Sequence, residues 1–231
     1  MTAAPSLKLT WALRITSRFC AFVAAAIGSL ALAGWIFDSA TLRGVFSGFA
    51  PMNPMTAVAM LVAGTVLWVV EDSRSAGTRL RIARGLALLI ALLGLAKIAS
   101  YSLGLPPHID RLLFPESVKA VPASQDRPRD EPAARDSASA EFGTNARVTD
   151  AQRGNLIALN TALSLLLIGT ALALLDVNLR RRYRPSEWLA LAAGLIALLA
   201  LVGYAYGVRP LFGVGWFNPM ALNTAVACGE L

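Results

Sequence analysis

The chain has 231 residues, of which 56% are hydrophobic, and its mean hydropathy is +0.58. Soluble domains contain about 45–50% apolar residues, so this composition excludes an ordinary soluble globular protein. The formal net charge of +7 would suit a nucleic-acid binder. The basic residues, however, lie in clusters between long apolar runs, as in proteins whose charges set membrane topology. We therefore expect contact with anionic membrane lipids and no nucleic-acid partner.

Five apolar runs each approach the roughly 20 residues that a helix needs to cross a bilayer. These runs are residues 19–37, 51–70, 85–103, 156–175 and 188–208. A sixth run, 219–231, would cross only about two thirds of the hydrocarbon at 1.5 Å per residue. The sequence therefore predicts an all-α, polytopic helical membrane protein with five full spans and a partial sixth.

The runs repeat. Thr56-Ala57 precedes Gly64-Thr65 at the spacing at which Thr161-Ala162 precedes Gly169-Thr170, and a third copy opens at Asn223-Thr224-Ala225. The run before each copy closes on an aromatic and a turn residue. These closing segments are Trp35 to Asp38, Tyr101 to Gly104 and Tyr204 to Gly207. We predict three tandem transmembrane helix hairpins, 15–72, 82–176 and 187–231, in one membrane domain spanning 1–231 and stopping inside its last repeat.

Basic residues occupy alternate connections: before the first run, between the second and third, and between the fourth and fifth. They are Lys8, Arg14, Arg18, Arg74, Arg79, Arg81, Arg84, Arg180, Arg181, Arg182 and Arg184. By the positive-inside rule, the amino terminus and these connections are cytoplasmic. The basic start resembles a signal peptide, but its apolar stretch is too long, so we expect the first run to stay uncleaved.

The longest connection, 104–153, lies on the opposite side of the membrane. Its first part, 105–118, keeps apolar residues and is predicted to form a short surface helix. Residues 119–150 are rich in Pro, Ala, Ser and charges, the composition of a disordered insertion. His108 is the single histidine of the chain. It cannot build a metal site alone, so it is interpreted either as an ordinary surface residue or as a pH-sensing one.

Lys97 is the one charge well inside an apolar run. Its side chain either snorkels to the outer interface or takes part in ligand binding or proton sensing. Arg209, in the last tight turn, is either an interfacial arginine or an anion contact. The candidate sensing or ligand residues form one set: Lys97, Tyr101, His108, Tyr204 and Arg209.

A second set of residues is small or polar within the apolar runs. Its members are Thr56, Gly64, Asn160, Thr161, Gly169, Asn223 and Thr224. The polar side chains need hydrogen-bond partners in a low dielectric, and the glycines permit close helix approach. We interpret the set as helix-packing residues, with ligand contact as the alternative for the polar members.

No nucleophile elbow, phosphate-binding glycine loop, metal-ligand pattern or pair of catalytic carboxylates is present in the sequence. The apolar runs also lack the several buried acids and interrupted helices typical of a transporter. We therefore predict no enzyme activity, no metal and no cofactor. The residues alone indicate a polytopic membrane protein and no more.

The repeated motifs resemble the amino-terminal membrane region of bacterial sensor histidine kinases and related PAS-containing and diguanylate-cyclase signalling proteins. The motifs that carry the resemblance are Met52-x-Pro54-x-Thr56-Ala57 with Gly64, Tyr101-x-x-Gly104 with 109–114, Asn160-Thr161-Ala162 with Gly169, and 203–208 with 220–225. The likeness covers nearly the whole chain from Arg14 onward. Met55 stands where that family usually has Asn, and 119–150 is an insertion.

The resemblance implies a location and a function. It implies a multi-pass protein of the bacterial inner membrane that serves as the sensory input region of a signal-transduction protein, such as a two-component system, here without its cytoplasmic output domain. The alternative, from a different class, is an accessory structural subunit of a larger membrane complex. Either role implies a partner: another membrane protein or a separate cytoplasmic output protein, with a homodimer also left open.

Overall fold

A computed structural model describes residues 7–43, 51–72, 77–104, 157–175, 184–208 and 220–231. Within these ranges the chain is helical and contains no strand, which confirms the all-α prediction. The helices are α1 (Leu7–Ile36), α2 (Ala40–Arg43), α3 (Pro54–Asp72), α4 (Gly77–Ser102), α5 (Leu159–Ala173), α6 (Pro185–Tyr206) and α7 (Leu222–Glu230).

Four of these helices are long and apolar enough to cross a membrane: Arg14–Ile36, Pro54–Glu71, Gly77–Ser102 and Pro185–Tyr206. The chain is thus compatible with a multi-pass membrane protein. Helix α5 has 15 residues, about 22 Å at 1.5 Å per residue, and α7 has nine. The count of five full spans and a partial sixth is therefore not confirmed.

The helices pack as three pairs joined in a ring. Helix α1 packs along α3, α4 along α5, and α6 along α7. Contacts of α3 with α4, of α5 with α6 and of α7 with α1 then join each pair to the next. Helices α3, α5 and α7 also contact one another. These three are therefore inner helices, and α1, α4 and α6 lie outside them.

The outer helices carry most of the exposed large apolar side chains. Phe19 and Phe22 of α1, Leu88 and Leu92 of α4, and Leu191 of α6 are each more than half exposed. Among the described residues of the inner helices, the large exposed side chains are Trp68 and Leu163. An apolar outer surface of this kind is stable in lipid and not in water.

Within the first two pairs, the helices approach each other at glycines. A Cβ on Gly28 of α1 would lie 2.6 Å from the Ala57 carbonyl oxygen, and one on Gly64 of α3 would lie 2.5 Å from that of Ala21. The second pair repeats this reciprocal arrangement. There the corresponding distances are 2.5 Å from Gly94 to Ala162 O and 2.7 Å from Gly169 to Ala87 O.

In the third pair, the glycine lies on the inner helix and not on the outer one. Ala197 of α6 stands where α1 and α4 have glycine, and Gly229 of α7 stands opposite it. A Cβ on Gly229 would make ordinary contact, 3.8 Å from the Ala197 Cβ. The backbones of α6 and α7 are therefore not in the direct contact that joins the first two pairs.

Each outer helix ends in the same left-handed turn. Asp38, Gly104 and Gly207 have φ of 53°, 63° and 67°, and they occupy equivalent positions after the closing aromatics. Glycine adopts this conformation without the steric cost that Asp38 incurs. We call the end of the bundle with these turns the outer end and the opposite, arginine-rich end the inner end.

Candidate functional site

The aromatic residue that closes each outer helix donates a hydrogen bond to the carbonyl just before the following inner helix. Trp35 Nε1 donates to Met52 O at 2.9 Å. The Tyr101 hydroxyl donates to Ile157 O, and the Tyr204 hydroxyl donates to Met220 O. The carbonyl that receives the bond lies beside the entry of the inner helix, so each aromatic ties the outer ends of its two helices together.

Lys97 occupies a position that is alanine in the other two pairs. It lies four residues before Tyr101, as Ala31 lies before Trp35 and Ala200 before Tyr204. All three positions are enclosed: Ala31 and Ala200 are 0% exposed, and Lys97 is 2% exposed. Among the described residues, Lys97 is the one buried charged side chain. A charge therefore stands at a core position of only the second pair.

The Lys97 ammonium lies over the Tyr101 ring, with Nζ 4.9 Å from the ring centroid. Residues four apart face the same side of a helix, so α4 itself positions this pair. The ring attracts the cation through its negative π face, more strongly where both are desolvated. Because the Tyr101 hydroxyl is held by Ile157 O, the ring under the ammonium is anchored to α5 as well as to α4.

The snorkelling interpretation of Lys97 does not agree with this geometry. A snorkelling side chain keeps its charged head in water while its stem lies on apolar surface. Here the whole side chain, including the head over the Tyr101 ring, is enclosed by protein. The pairing places the candidate residues Lys97 and Tyr101 in one site at the outer end of the second pair.

The first pair also has a cation on its closing aromatic, in a different setting. The Arg43 guanidinium lies 4.5 Å from the centroid of the Trp35 ring. It also donates to the Gly34 carbonyl oxygen at 3.1 Å and forms an ion pair with Asp38, whose side chain is 90% exposed. This cation comes from the short helix α2 at the rim and is neutralised by a solvated carboxylate.

The inner helices carry buried polar oxygens near their contacts with one another. Thr56 Oγ1 on α3 and Asn223 Oδ1 on α7 have no hydrogen-bond partner among the described residues, whereas the Ser164 hydroxyl on α5 faces the Cys228 thiol on α7. The hydrogen bonds expected for the polar side chains of Thr56 and Asn223 are therefore not made by these atoms. An unpaired buried oxygen costs about 1–3 kcal/mol, so the centre of the bundle is less favourable than an apolar core would be.

The remaining predicted residues take varied places. Tyr204 lies in the third pair, away from Lys97 and Tyr101. Thr161 and Thr224 are buried, and Asn160 is half-buried at the start of α5. Gly64 and Gly169 lie where helix backbones meet. His108, Arg209 and the insertion 119–150 fall outside the described residues, so their roles stay predictions.

Sequence reasoning missed the reciprocal glycines Gly28 and Gly94. Their signal was available, since Gly28 precedes Trp35 at the same spacing at which Gly94 precedes Tyr101. It also missed the pairing of Arg43 with Trp35. Nothing in the local sequence indicates that pairing, because it depends on how α2 folds back on α1.

Among the described residues, no group of three His, Cys, Asp or Glu side chains lies close enough together to hold a metal ion. Comparisons with sequence models of protein families, with curated proteins and with solved structures find no match for this chain. The function of the site is therefore inferred from its geometry.

Proposed function

We propose that this protein is the membrane-embedded sensory input region of a signal-transduction protein of the bacterial cytoplasmic membrane. The observation that carries the proposal is the buried Lys97 ammonium over the half-buried Tyr101 ring. Ionisable side chains inside membrane helices are costly and mark functional sites by default. The equivalent positions in the other two pairs are alanine, Ala31 and Ala200. Packing at this position therefore does not require a lysine, which supports a functional role for Lys97.

The packing of the second pair supports a route from this site to the inner end. A ligand or a change in membrane state that alters the Lys97 environment would act on Tyr101 and, through Ile157 O, on the start of α5. Helices α4 and α5 are joined backbone to backbone at Gly94 and Gly169. They would therefore shift as one body relative to α3 and α6, a motion that packed elements allow.

The proposal includes the finer topology predicted from the sequence. It has five full spans, a partial sixth from 219–231 and a cytoplasmic amino terminus, with the inner end facing the cytoplasm. Its output is a kinase or cyclase domain in the same polypeptide or in a separate cytoplasmic protein. The membrane region itself has no enzymatic role and needs no cofactor, and a homodimer is the assembly that would bring two outputs together.

The test begins with the native protein, purified from membranes in mild detergent. Mass spectrometry then identifies its complete polypeptide and its stoichiometric partners. A kinase, PAS or cyclase domain, in the same chain or in the partner, supports the proposal. The activity of that domain is next compared in membranes between the native protein and Lys97→Met. We expect the activity of the output domain in Lys97→Met to stay constant and no longer respond, while the complex stays assembled.

The matched control is Tyr206→Phe, because Tyr206 is 79% exposed on α6 and lies away from the site. We expect it to leave the output and its response unchanged. An output that responds normally in Lys97→Met would contradict the proposed role of the site. A complex that contains no signalling domain would contradict the sensory function itself.

The alternative is an accessory structural subunit of a larger membrane complex. Two leucine faces favour it: Leu88, Leu92 and Leu95 on α4, and Leu195 and Leu198 on α6, are at least half exposed. Such faces suit helix packing against another membrane protein as well as lipid contact. One stoichiometric membrane partner without a signalling domain would establish this alternative.

A further inference from the structure

A cleft opens between α3 and α4 at the inner end of the bundle. Its volume is about 290 Å³, near the lower end of the roughly 300–1,000 Å³ usual for small-molecule sites. It is lined by Thr65, Val66, Trp68 and Val69 of α3 and by Arg79, Ile82, Ala83 and Leu86 of α4. The lining is apolar along its length and cationic at the end nearest the connection between the two helices.

The cleft has a buried floor and an exposed rim. Val66 and Ala83 in the floor are each 2% exposed, whereas Trp68 and Ile82 at the rim are 45% and 59% exposed. In a membrane, a rim of tryptophan and isoleucine faces lipid near the level of the headgroups, where tryptophan is enriched. The cleft therefore opens sideways to the bilayer.

Two arginines give this opening a positive charge. Arg79 lines the cleft itself, and the Arg18 guanidinium lies 5.7 Å from the centroid of the Trp68 ring. Arginine matches the oxygens of a phosphate with a planar fork of donors. Basic pockets between membrane helices bind the headgroups of anionic lipids, with the acyl chains on the apolar walls.

The corresponding junction between α5 and α6 has the opposite character. Its cavity measures about 130 Å³ and includes Glu187 among its lining residues. The Glu187 carboxylate lies 3.7 Å from the Arg184 guanidinium. Among the described lining residues, this cavity therefore has an acid, whereas the cleft between α3 and α4 has Arg79 and no acid.

We propose that the cleft between α3 and α4 is a binding site for one anionic phospholipid. Its phosphate contacts Arg79, and part of one acyl chain lies along Val69, Ile82 and Leu86. The site goes beyond the proposed sensory function and does not depend on it, because it requires only that the helices reside in a membrane.

Tryptophan fluorescence offers a direct test, since Trp68 lies at the rim. The native chain and Trp68→Phe are reconstituted in phosphatidylcholine vesicles with a minority of phosphatidylglycerol brominated on its acyl chains. The difference between their emissions isolates Trp68. We expect brominated phosphatidylglycerol to quench Trp68 more strongly than brominated phosphatidylcholine at equal fraction. Removing the Arg79 charge with Arg79→Gln should weaken the preference about fivefold.

Arg81→Gln is the matched control. Arg81 is exposed on the same helix but does not line the cleft, and its Nε donates to Gly77 O at 3.0 Å. We expect it to keep the phosphatidylglycerol preference. Equal quenching by the two lipids would overturn the proposal. Equal losses in Arg79→Gln and Arg81→Gln would overturn it too, because they would indicate diffuse attraction to an anionic surface and no defined site.

Discussion

The first and second helix pairs have the same framework and place a cation on the closing aromatic by different means. In the first pair, Arg43 comes from the rim, and the exposed Asp38 neutralises it. In the second pair, Lys97 comes from α4 itself and lies inside the bundle. The rim cation fits a structural role in closing the turn. Lys97 stands where the other two pairs have alanine, so helix packing at this position does not require a lysine. We therefore regard Lys97 as a candidate functional residue and the residues around it as scaffold.

The largest effect is expected from adding an enclosed charge to the first pair at the position that corresponds to Lys97. Ala31→Lys places an ammonium where alanine is completely enclosed between α1 and its neighbours. We expect it to lower the free energy of unfolding by about 3 kcal/mol or more, because a buried charge without preformed partners is strongly unfavourable. Unfolding in detergent by increasing denaturant measures this change.

The reciprocal variant sharpens the comparison. Lys97→Met keeps an unbranched side chain and removes the charge, so we expect stability to stay unchanged or to rise by about 1 kcal/mol. A large loss of stability in Lys97→Met would indicate that the lysine holds the second pair together. It would then be part of the scaffold, as Arg43 is in the first pair.

The next effect concerns the backbone contacts that the first two pairs share and the third lacks. Gly169→Ala places a Cβ against the backbone nitrogen of Ala91 and 2.7 Å from Ala87 O. The helices must then separate, and we expect a loss of about 2–3 kcal/mol in the free energy of unfolding. Thermal unfolding in mild detergent compares it with Gly229→Ala, which meets only the Ala197 Cβ at 3.8 Å.

Gly229→Ala should change stability by less than about 1 kcal/mol. A second control, Gly85→Ala on α4, meets no atom within 4 Å and should be neutral or slightly stabilising, because alanine favours helix. Equal losses in Gly169→Ala and Gly229→Ala would show that the third pair is packed as tightly as the second.

A smaller loss of stability than for Gly169→Ala is expected from removing the hydrogen bond common to all three pairs. Tyr101→Phe removes the bond to Ile157 O but keeps the ring under Lys97. We expect a loss of about 1 kcal/mol in unfolding free energy, and a similar loss for Tyr204→Phe, which removes the bond to Met220 O. Denaturant unfolding with the exposed Tyr206→Phe as control measures both. A Tyr101→Phe loss several times larger than that of Tyr204→Phe would mean that the Lys97 site depends on this bond.

The helical class of the protein and its repeat can be predicted from the sequence alone. Apolar runs of bilayer length specify helices, because a backbone in hydrocarbon must satisfy its own hydrogen bonds. The equivalence of Trp35, Tyr101 and Tyr204 could be read directly from spacing, and so could that of Gly64 and Gly169, because a helix converts regular spacing into a constant face. Lys97 is unusual in the sequence because it is the one charge well inside an apolar run.

The way in which these features combine depends on packing between helices. Whether Lys97 reaches solvent depends on which neighbours enclose α4, and local periodicity does not contain that information. The ring of helix pairs, with α3, α5 and α7 inside, follows from contacts between segments far apart in the chain. The partners of Arg43 and the cleft beside Arg79 arise in the same way. Side-chain packing between distant segments sets both burial and pairing. It places Arg43 beside the exposed carboxylate of Asp38 and encloses Lys97 within the bundle.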